Sequence, residues 1–167
     1  MKTLISHTIE ETQKFAEEWL VKVVATYSNA DEALVVGLSG HLGAGKTAFA
    51  KCLAKILGIE EEVTSPTFVI MKIYEIRRRE NGEGRTEKAK GEKNGNSEVL
   101  WKRLVHIDAY RLERGEELEA IRFEDLVADK NNLIVIEWPE NVGLKEFEPD
   151  CDLHFEIRDG HHVVMVQ

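Results

Sequence analysis

Two short stretches, Leu34-Val35-Val36-Gly37-Leu38 and Leu133-Ile134-Val135-Ile136, are apolar without interruption. That pattern predicts strands buried on both faces, as in a parallel sheet covered on two sides. Elsewhere the apolar positions recur at helical spacing. Phe15, Trp19, Leu20, Val23, Val24 and Tyr27 predict an amphipathic helix running to about Ser28, and Asn29-Ala30-Asp31 ends it. Its start carries a capping box, with Thr8 as cap and Glu11 reaching back. A short strand at Leu4-Ile5 precedes it. Phe49, Leu53, Ile56 and Leu57 mark a second helix, stopped by Gly58.

The β-rich runs Val69 to Tyr74 and Val99-Leu100-Trp101 through Leu104 to Asp108 predict two antiparallel strands of one hairpin. Residues 116–128 read as helix with a break around Arg122. The strand Leu133 to Glu137 leaves through Trp138-Pro139-Glu140, because proline cannot continue a ladder. Leu153 to Ile157 and Val163 to Val166 bracket Asp159-Gly160, a hairpin-type turn. The chain shows no internal repeat and no interdomain linker.

Between the first buried strand and the second helix stands Gly40-His41-Leu42-Gly43-Ala44-Gly45-Lys46-Thr47, which reads G-x-x-x-x-G-K-[ST]. A chance match in a glycine-rich turn would lack that flanking strand and helix, which is the context a phosphate-binding loop requires. Glycines let the backbone turn its N–H groups toward a phosphate, and the helix that opens near Gly45 adds unpaired N–H groups and a positive dipole end. Leu42, Gly43, Ala44, Gly45, Lys46, Thr47 and Ala48 are therefore the candidate nucleotide-binding residues. Lys46 is placed to reach the β- and γ-phosphates and the Thr47 hydroxyl to ligate Mg²⁺. No N-K-x-D guanine motif follows, so ATP is favoured over GTP. The fold expected is a three-layer α/β P-loop domain with a mixed, largely parallel sheet and an antiparallel hairpin.

Such a site needs a second carboxylate near the metal, usually where a buried strand ends. Glu137, after four apolar residues, fits; it could hold a Mg²⁺-bound water or orient the attacking one. A solvated strand-end glutamate is the plainer alternative. Asp108 likewise follows an apolar strand and could face the same phosphate. Trp138 is either core or, beside a nucleotide, a cover for the site or a contact for a partner. Ser65-Pro66-Thr67-Phe68 could be a switch loop whose hydroxyls sense the γ-phosphate or its metal, or simply a turn into a strand.

The 167 residues suit a single domain, residues 1–167. Hydrophobic content of 43% and charged content of 32% are those of a soluble globular protein. No apolar run approaches the roughly 20 residues of a membrane span, and the N-terminus lacks the form of a secretory signal, so the expected location is the cytoplasm. A net charge of −9 disfavours gripping nucleic acid over a broad face. Cys52 and Cys151 lie far apart, which indicates neither a zinc site nor a disulfide framework; Cys52 reads as packing. Residues 77–98 carry seven basic and five acidic side chains and four glycines, and so are locally +2 against −11 for the remainder. That composition predicts a mobile insertion at the hairpin tip, or a place where Arg77, Arg78 and Arg79 meet an anionic partner such as tRNA.

Taken in order, the P-loop, Ser65-Pro66-Thr67-Phe68, His106-Ile107-Asp108-Ala109-Tyr110-Arg111-Leu112 and Ile136-Glu137-Trp138-Pro139-Glu140 resemble the TsaE (YjeE) family, from about Ser6 to Ile157. The resemblance implies a small bacterial ATPase for threonylcarbamoyladenosine modification of tRNA, working with the TsaD and TsaB proteins. In that system threonylcarbamoyl adenylate donates its group to N6 of adenosine 37 in tRNAs that read ANN codons. The ATPase would not transfer the group but would reset the TsaD–TsaB machine, meeting tRNA only through the complex. By position, the resemblance gives Thr47 and Glu137 to Mg²⁺ and Lys46 to phosphates, makes Asp108 necessary for activity, sets Trp138 beside the metal-binding acid, and puts Thr8 at the adenine. Three positions depart from the family pattern: His41 replaces the usual Asp, Arg122 replaces a common glycine, and the 77–98 insertion is longer than usual. A small-molecule kinase of the P-loop class and a non-catalytic ATP-binding scaffold are the alternatives.

Overall fold

The computed structural model describes residues 2–64, 66, 69–77, 100–112, 114, 116–142 and 148–166. Its strands are β1 (Lys2–Ser6), β2 (Leu34–Gly40), β3 (Met71–Glu75), β4 (Arg103–Asp108), β5 (Asn132–Glu137), β6 (Cys151–Arg158) and β7 (His161–Val166). The helices are α1 (Ile9–Tyr27), α2 (Lys46–Ile56), α3 (Glu116–Glu119) and α4 (Phe123–Val127), with a 3-10 turn at Pro139–Val142. The strands form one sheet in the order β1-β7-β6-β2-β5-β4-β3. The four central strands, β6, β2, β5 and β4, run parallel, and antiparallel strands extend both edges. Both expected hairpins form: β3 pairs with β4, and β6 turns into β7 through Asp159 and Gly160, each at positive φ. Among the described residues, no helix is long and apolar enough to cross a membrane.

The uninterrupted runs are apolar because each face has its own cover. Leu34, Val36 and Leu38 of β2 join Leu133 and Val135 of β5 in the core beneath α1 and α2. Val35, Ile134 and Ile136 enter the opposite core, with Leu118 and Phe123 from the two short helices. Three layers result, as expected. Aromatic rings tie the thicker layer together: Phe49 of α2 meets Trp19 of α1 and Phe155 of β6, each at 5.7 Å between centroids.

Local signals account for the boundaries. Thr8 caps α1 by accepting from the Glu11 N–H at 3.3 Å, while the Glu11 carboxylate returns to the His7 N–H at 2.6 Å, one residue earlier than the standard box. Past α2, the Ile59 N–H reaches the Ala54 carbonyl and the Gly58 N–H the Lys55 carbonyl, with Gly58 at φ 79, a Schellman stop. The break between α3 and α4 falls at Arg122, which adopts the left-handed conformation (φ 53) that the usual glycine would take without strain. Arg122 also forms an ion pair with Asp125. Cys52 is buried and Cys151 half-buried, both as free thiols. Arg77 is exposed and pairs with Glu60 at 3.1 Å; Arg78, Arg79 and the rest of the 77–98 insertion lie outside the described residues.

The end of β2 is fixed by its neighbour. Gly40 lies opposite Phe155 in the parallel ladder, at φ 111, and a Cβ there would stand 1.9 Å from the Phe155 carbonyl oxygen. Only glycine lets β2 run this close to β6 as it turns into the loop. Gly40→Ala should therefore cost about 3 kcal/mol or more in folding stability. Urea unfolding would read this as a lower midpoint with an unchanged slope.

Candidate nucleotide site

Where β2, β4 and β5 end, a hollow of about 300 Å³ opens against the start of α2. Its floor is the loop and first helical turn, from Leu42 and Gly43 to Gly45, Lys46, Thr47 and Ala48; its walls are Asp108, Tyr110, Glu137 and Trp138. Ligands of open α/β sheets bind at this position, outside the carboxyl ends of the strands and where the chain connects to both sides. A larger hollow of about 350 Å³, beside Tyr27, Leu34 and Trp101, lies at the opposite end of the same strands.

Strand alternation brings the acids together. Leu104, His106 and Asp108 share one face of β4, and Leu133, Val135 and Glu137 the corresponding face of β5, so both strand-end carboxylates point to the α2 side. Asp108 pairs with Glu137 in register, and the Ala109 N–H donates to the Glu137 carbonyl at 3.0 Å, which clamps the two strand ends. The Asp108 carboxylate accepts from the Tyr110 N–H at 3.0 Å. Glu137 is only 3% exposed. One of its oxygens accepts from the Thr47 hydroxyl at 2.9 Å, and the other lies 2.8 Å from His106 Nε2.

Lys46 is 4% exposed. Its ammonium donates to the carbonyls of Gly40 (2.6 Å) and His41 (2.9 Å) and lies 3.5 Å from the centroid of the Trp138 ring. Burial pulls its pKa below the ordinary 10.5, against the opposing pull of Glu137, Glu140 and Asp108. Trp138 reaches that place through a left-handed residue, φ 61, that turns the chain off β5, and its ring packs on Tyr110 at 5.1 Å. Gly45, at φ 111, directs the loop into α2, which has no side-chain cap, so its first N–H groups belong to the residues that floor the hollow. His162 of β7 braces the loop from behind, its Nδ1 donating to the Ala44 carbonyl at 3.0 Å.

The donor set fits a nucleoside triphosphate with Mg²⁺. Glycine-enabled backbone and a buried ammonium suit phosphate oxygens, and a hydroxyl beside a carboxylate offers hard oxygen ligands. Among the described residues, no three His, Cys, Asp or Glu side chains gather into a metal cage.

Of the candidates read from sequence, the structure gathers all but two into this hollow. Ala44 is buried behind the loop, and Thr8 is exposed with its hydroxyl engaged at the α1 cap, so it does not line the hollow. Ser65, Thr67 and Phe68 lie outside the described residues; Pro66 is buried, and its carbonyl accepts from the N–H groups of Val69 and Ile70. Sequence reasoning assigned no role to His106, Tyr110 or His162. A signal for His106 was present: it is the polar residue inside an apolar strand, two positions from Asp108 and hence on the same face.

A glycine-rich loop between a buried strand and a helix, with lysine and threonine opening that helix and acids ending the neighbouring strands, defines a P-loop nucleoside-triphosphatase-type α/β protein. Within that class the chain belongs to the TsaE family, whose model, described as threonylcarbamoyl adenosine biosynthesis protein TsaE, matches residues 6–164. The chain is 35% identical over 138 residues to the tRNA threonylcarbamoyladenosine biosynthesis protein TsaE of Treponema pallidum, covering 81% of this chain and 83% of the relative. To the protein of the same name from Aquifex aeolicus it is 31% identical over 159 residues, covering 94% and 86%. The fold matches the crystal structure of Bacillus subtilis YdiB with a TM-score of 0.58 at 23% identity, over 99% of this chain and 83% of that one. The family acts in tRNA threonylcarbamoyladenosine biosynthesis.

Burial of the Lys46 ammonium gives the fold a pH dependence. Between its depressed pKa and 10.5 the unfolded chain holds a proton that the folded chain lacks, so stability rises with pH across that window. Lys46→Met should accordingly be more stable than wild type by about 1 kcal/mol near neutral pH. The margin should narrow as the pH rises toward 10.5, as read from urea midpoints.

Proposed function

We propose that this protein is the ATP-binding, slowly hydrolysing subunit required for threonylcarbamoylation of N6 of adenosine 37 in tRNAs that read ANN codons, and that it is a nucleotide-gated switch on the TsaD–TsaB complex. The observation that carries the reading is the convergence of Lys46, Thr47, Asp108 and Glu137 on one hollow at the carboxyl ends of the central strands, in a chain of the TsaE family.

In this reading the backbone N–H groups from Leu42 to Ala48 cradle the phosphates, and Lys46 exchanges the Gly40 and His41 carbonyls for β- and γ-phosphate oxygens. Thr47 and Glu137 hold Mg²⁺, which when bound neutralises charge on those oxygens. Glu137 and Asp108 are the groups able to orient an attacking water. Trp138 and Tyr110 cover the site on the solvent side, and the removal of Lys46 from beneath the indole couples phosphate binding to the turn that follows β5. The 65–68 segment and the Asp108 turn are the proposed switch: the Asp108 N–H donates to the carbonyl of Ile70, two residues beyond that segment, at 2.9 Å. Order there when ATP is held, and its loss after hydrolysis, would gate TsaD–TsaB. Contact with tRNA is indirect, through the complex, as the net charge of −9 favours.

Lys46→Ala should weaken ATP–Mg²⁺ binding at least about tenfold by calorimetry, since it removes charged hydrogen bonds to phosphate. Wild-type affinity in that variant would refute the site. In pull-downs with TsaD–TsaB, association should differ among ATP, ADP and nucleotide-free conditions; association indifferent to nucleotide would remove the switch.

A further inference from the structure

His106 is fully buried on β4, flanked in sequence by Leu104, Val105 and Ile107. An imidazole is costly in such a place unless it is hydrogen-bonded. Its Nε2 lies 2.8 Å from Glu137 Oε1, while among the described residues its Nδ1 has no partner. An ionised carboxylate can only accept, so Nε2 carries the proton and Nδ1 is the bare nitrogen; a proton on Nδ1 would be buried with nothing to receive it. Glu137 is thus held at both oxygens, by a ring N–H from behind and by the Thr47 hydroxyl in front. The two holds are not equivalent. Thr47 lines the hollow and is itself a candidate cation ligand, so a cation would take its hydroxyl oxygen and turn the proton away from Glu137. His106 lies outside the lining, and its bond survives that exchange.

We propose that His106 is a positioning residue: through Nε2–H it fixes the orientation of Glu137 toward the divalent cation when Thr47 is drawn into the metal's coordination. The inference deepens the proposed function and rests on its Mg²⁺–ATP site. Partners of this kind behind metal ligands typically change metal affinity 10- to 100-fold when removed.

The test compares His106→Leu with His106→Gln, whose side-chain amide N–H reaches about as far as the imidazole Nε2. Mn²⁺ affinity is read by electron paramagnetic resonance in the presence of a non-hydrolysable ATP analogue, and binding of the same analogue is measured separately in EDTA. The Leu variant should bind Mn²⁺ about 10- to 100-fold more weakly while metal-free analogue binding stays within about twofold, and the Gln variant should recover most of the loss. Equal losses with and without metal, or a Leu variant that holds Mn²⁺ as wild type does, would overturn the proposal alone. A wild-type protein that bound neither metal nor analogue would bring down the underlying site and the proposal with it. Should the Leu variant fail to fold, imidazole ¹⁵N spectra of the wild type decide: an Nε2-protonated ring with bare Nδ1 supports the assignment, and the opposite tautomer refutes it.

Discussion

A positive charge buried under an indole governs the architecture of this site. Lys46 has almost no access to water, so its ammonium must be satisfied by what the fold supplies: two loop carbonyls, the face of Trp138, and the field of three nearby acids. Each of those requires a particular piece of backbone. The Gly40 and His41 carbonyls turn inward because β2 runs against β6 too closely for any side chain at Gly40. Trp138 is overhead because the chain leaves β5 through a left-handed residue, its N–H bonded to the Leu38 carbonyl of β2. The acids are within range because β4 and β5 are parallel, in register, and end together.

The same layout separates support from contact. Residues that line the hollow come from the loop and the strand ends, where the backbone can vary. The residues that support this lining, His106 behind Glu137 and His162 behind the loop at the buried Ala44, sit on strands whose register the whole sheet determines. A site held from rigid strands can let Thr47 and Lys46 change partners without losing the orientation of its acids.

Much of this could be read from the chain alone, for physical reasons. The runs at Leu34 and Leu133 announce strands because nothing but a doubly covered position tolerates such apolarity, and the G-x-x-x-x-G-K-T spacing identifies the loop because each residue type has a separate task with phosphate. A break around Arg122 was legible in the sequence, although only the structure shows that Arg122 itself carries a left-handed turn there. Less legible were the contacts made across the sheet. Nothing local marks Gly40 as pressed against Phe155, or pairs His162 with Ala44, since both depend on β6 and β7, more than a hundred residues away in sequence. Thr8 shows the opposite case: its local role as helix cap is evident both in sequence and in structure, but the hollow defined by the loop does not extend to it.

Everything proposed for this site depends on the buried ammonium being a phosphate ligand in waiting. The most direct test is a crystal structure grown with a non-hydrolysable ATP analogue and magnesium. The triphosphate should lie across residues 42–48, with Lys46 Nζ moved from the Gly40 and His41 carbonyls onto phosphate oxygens. An analogue bound elsewhere, with Lys46 still on those carbonyls beneath Trp138, would contradict it.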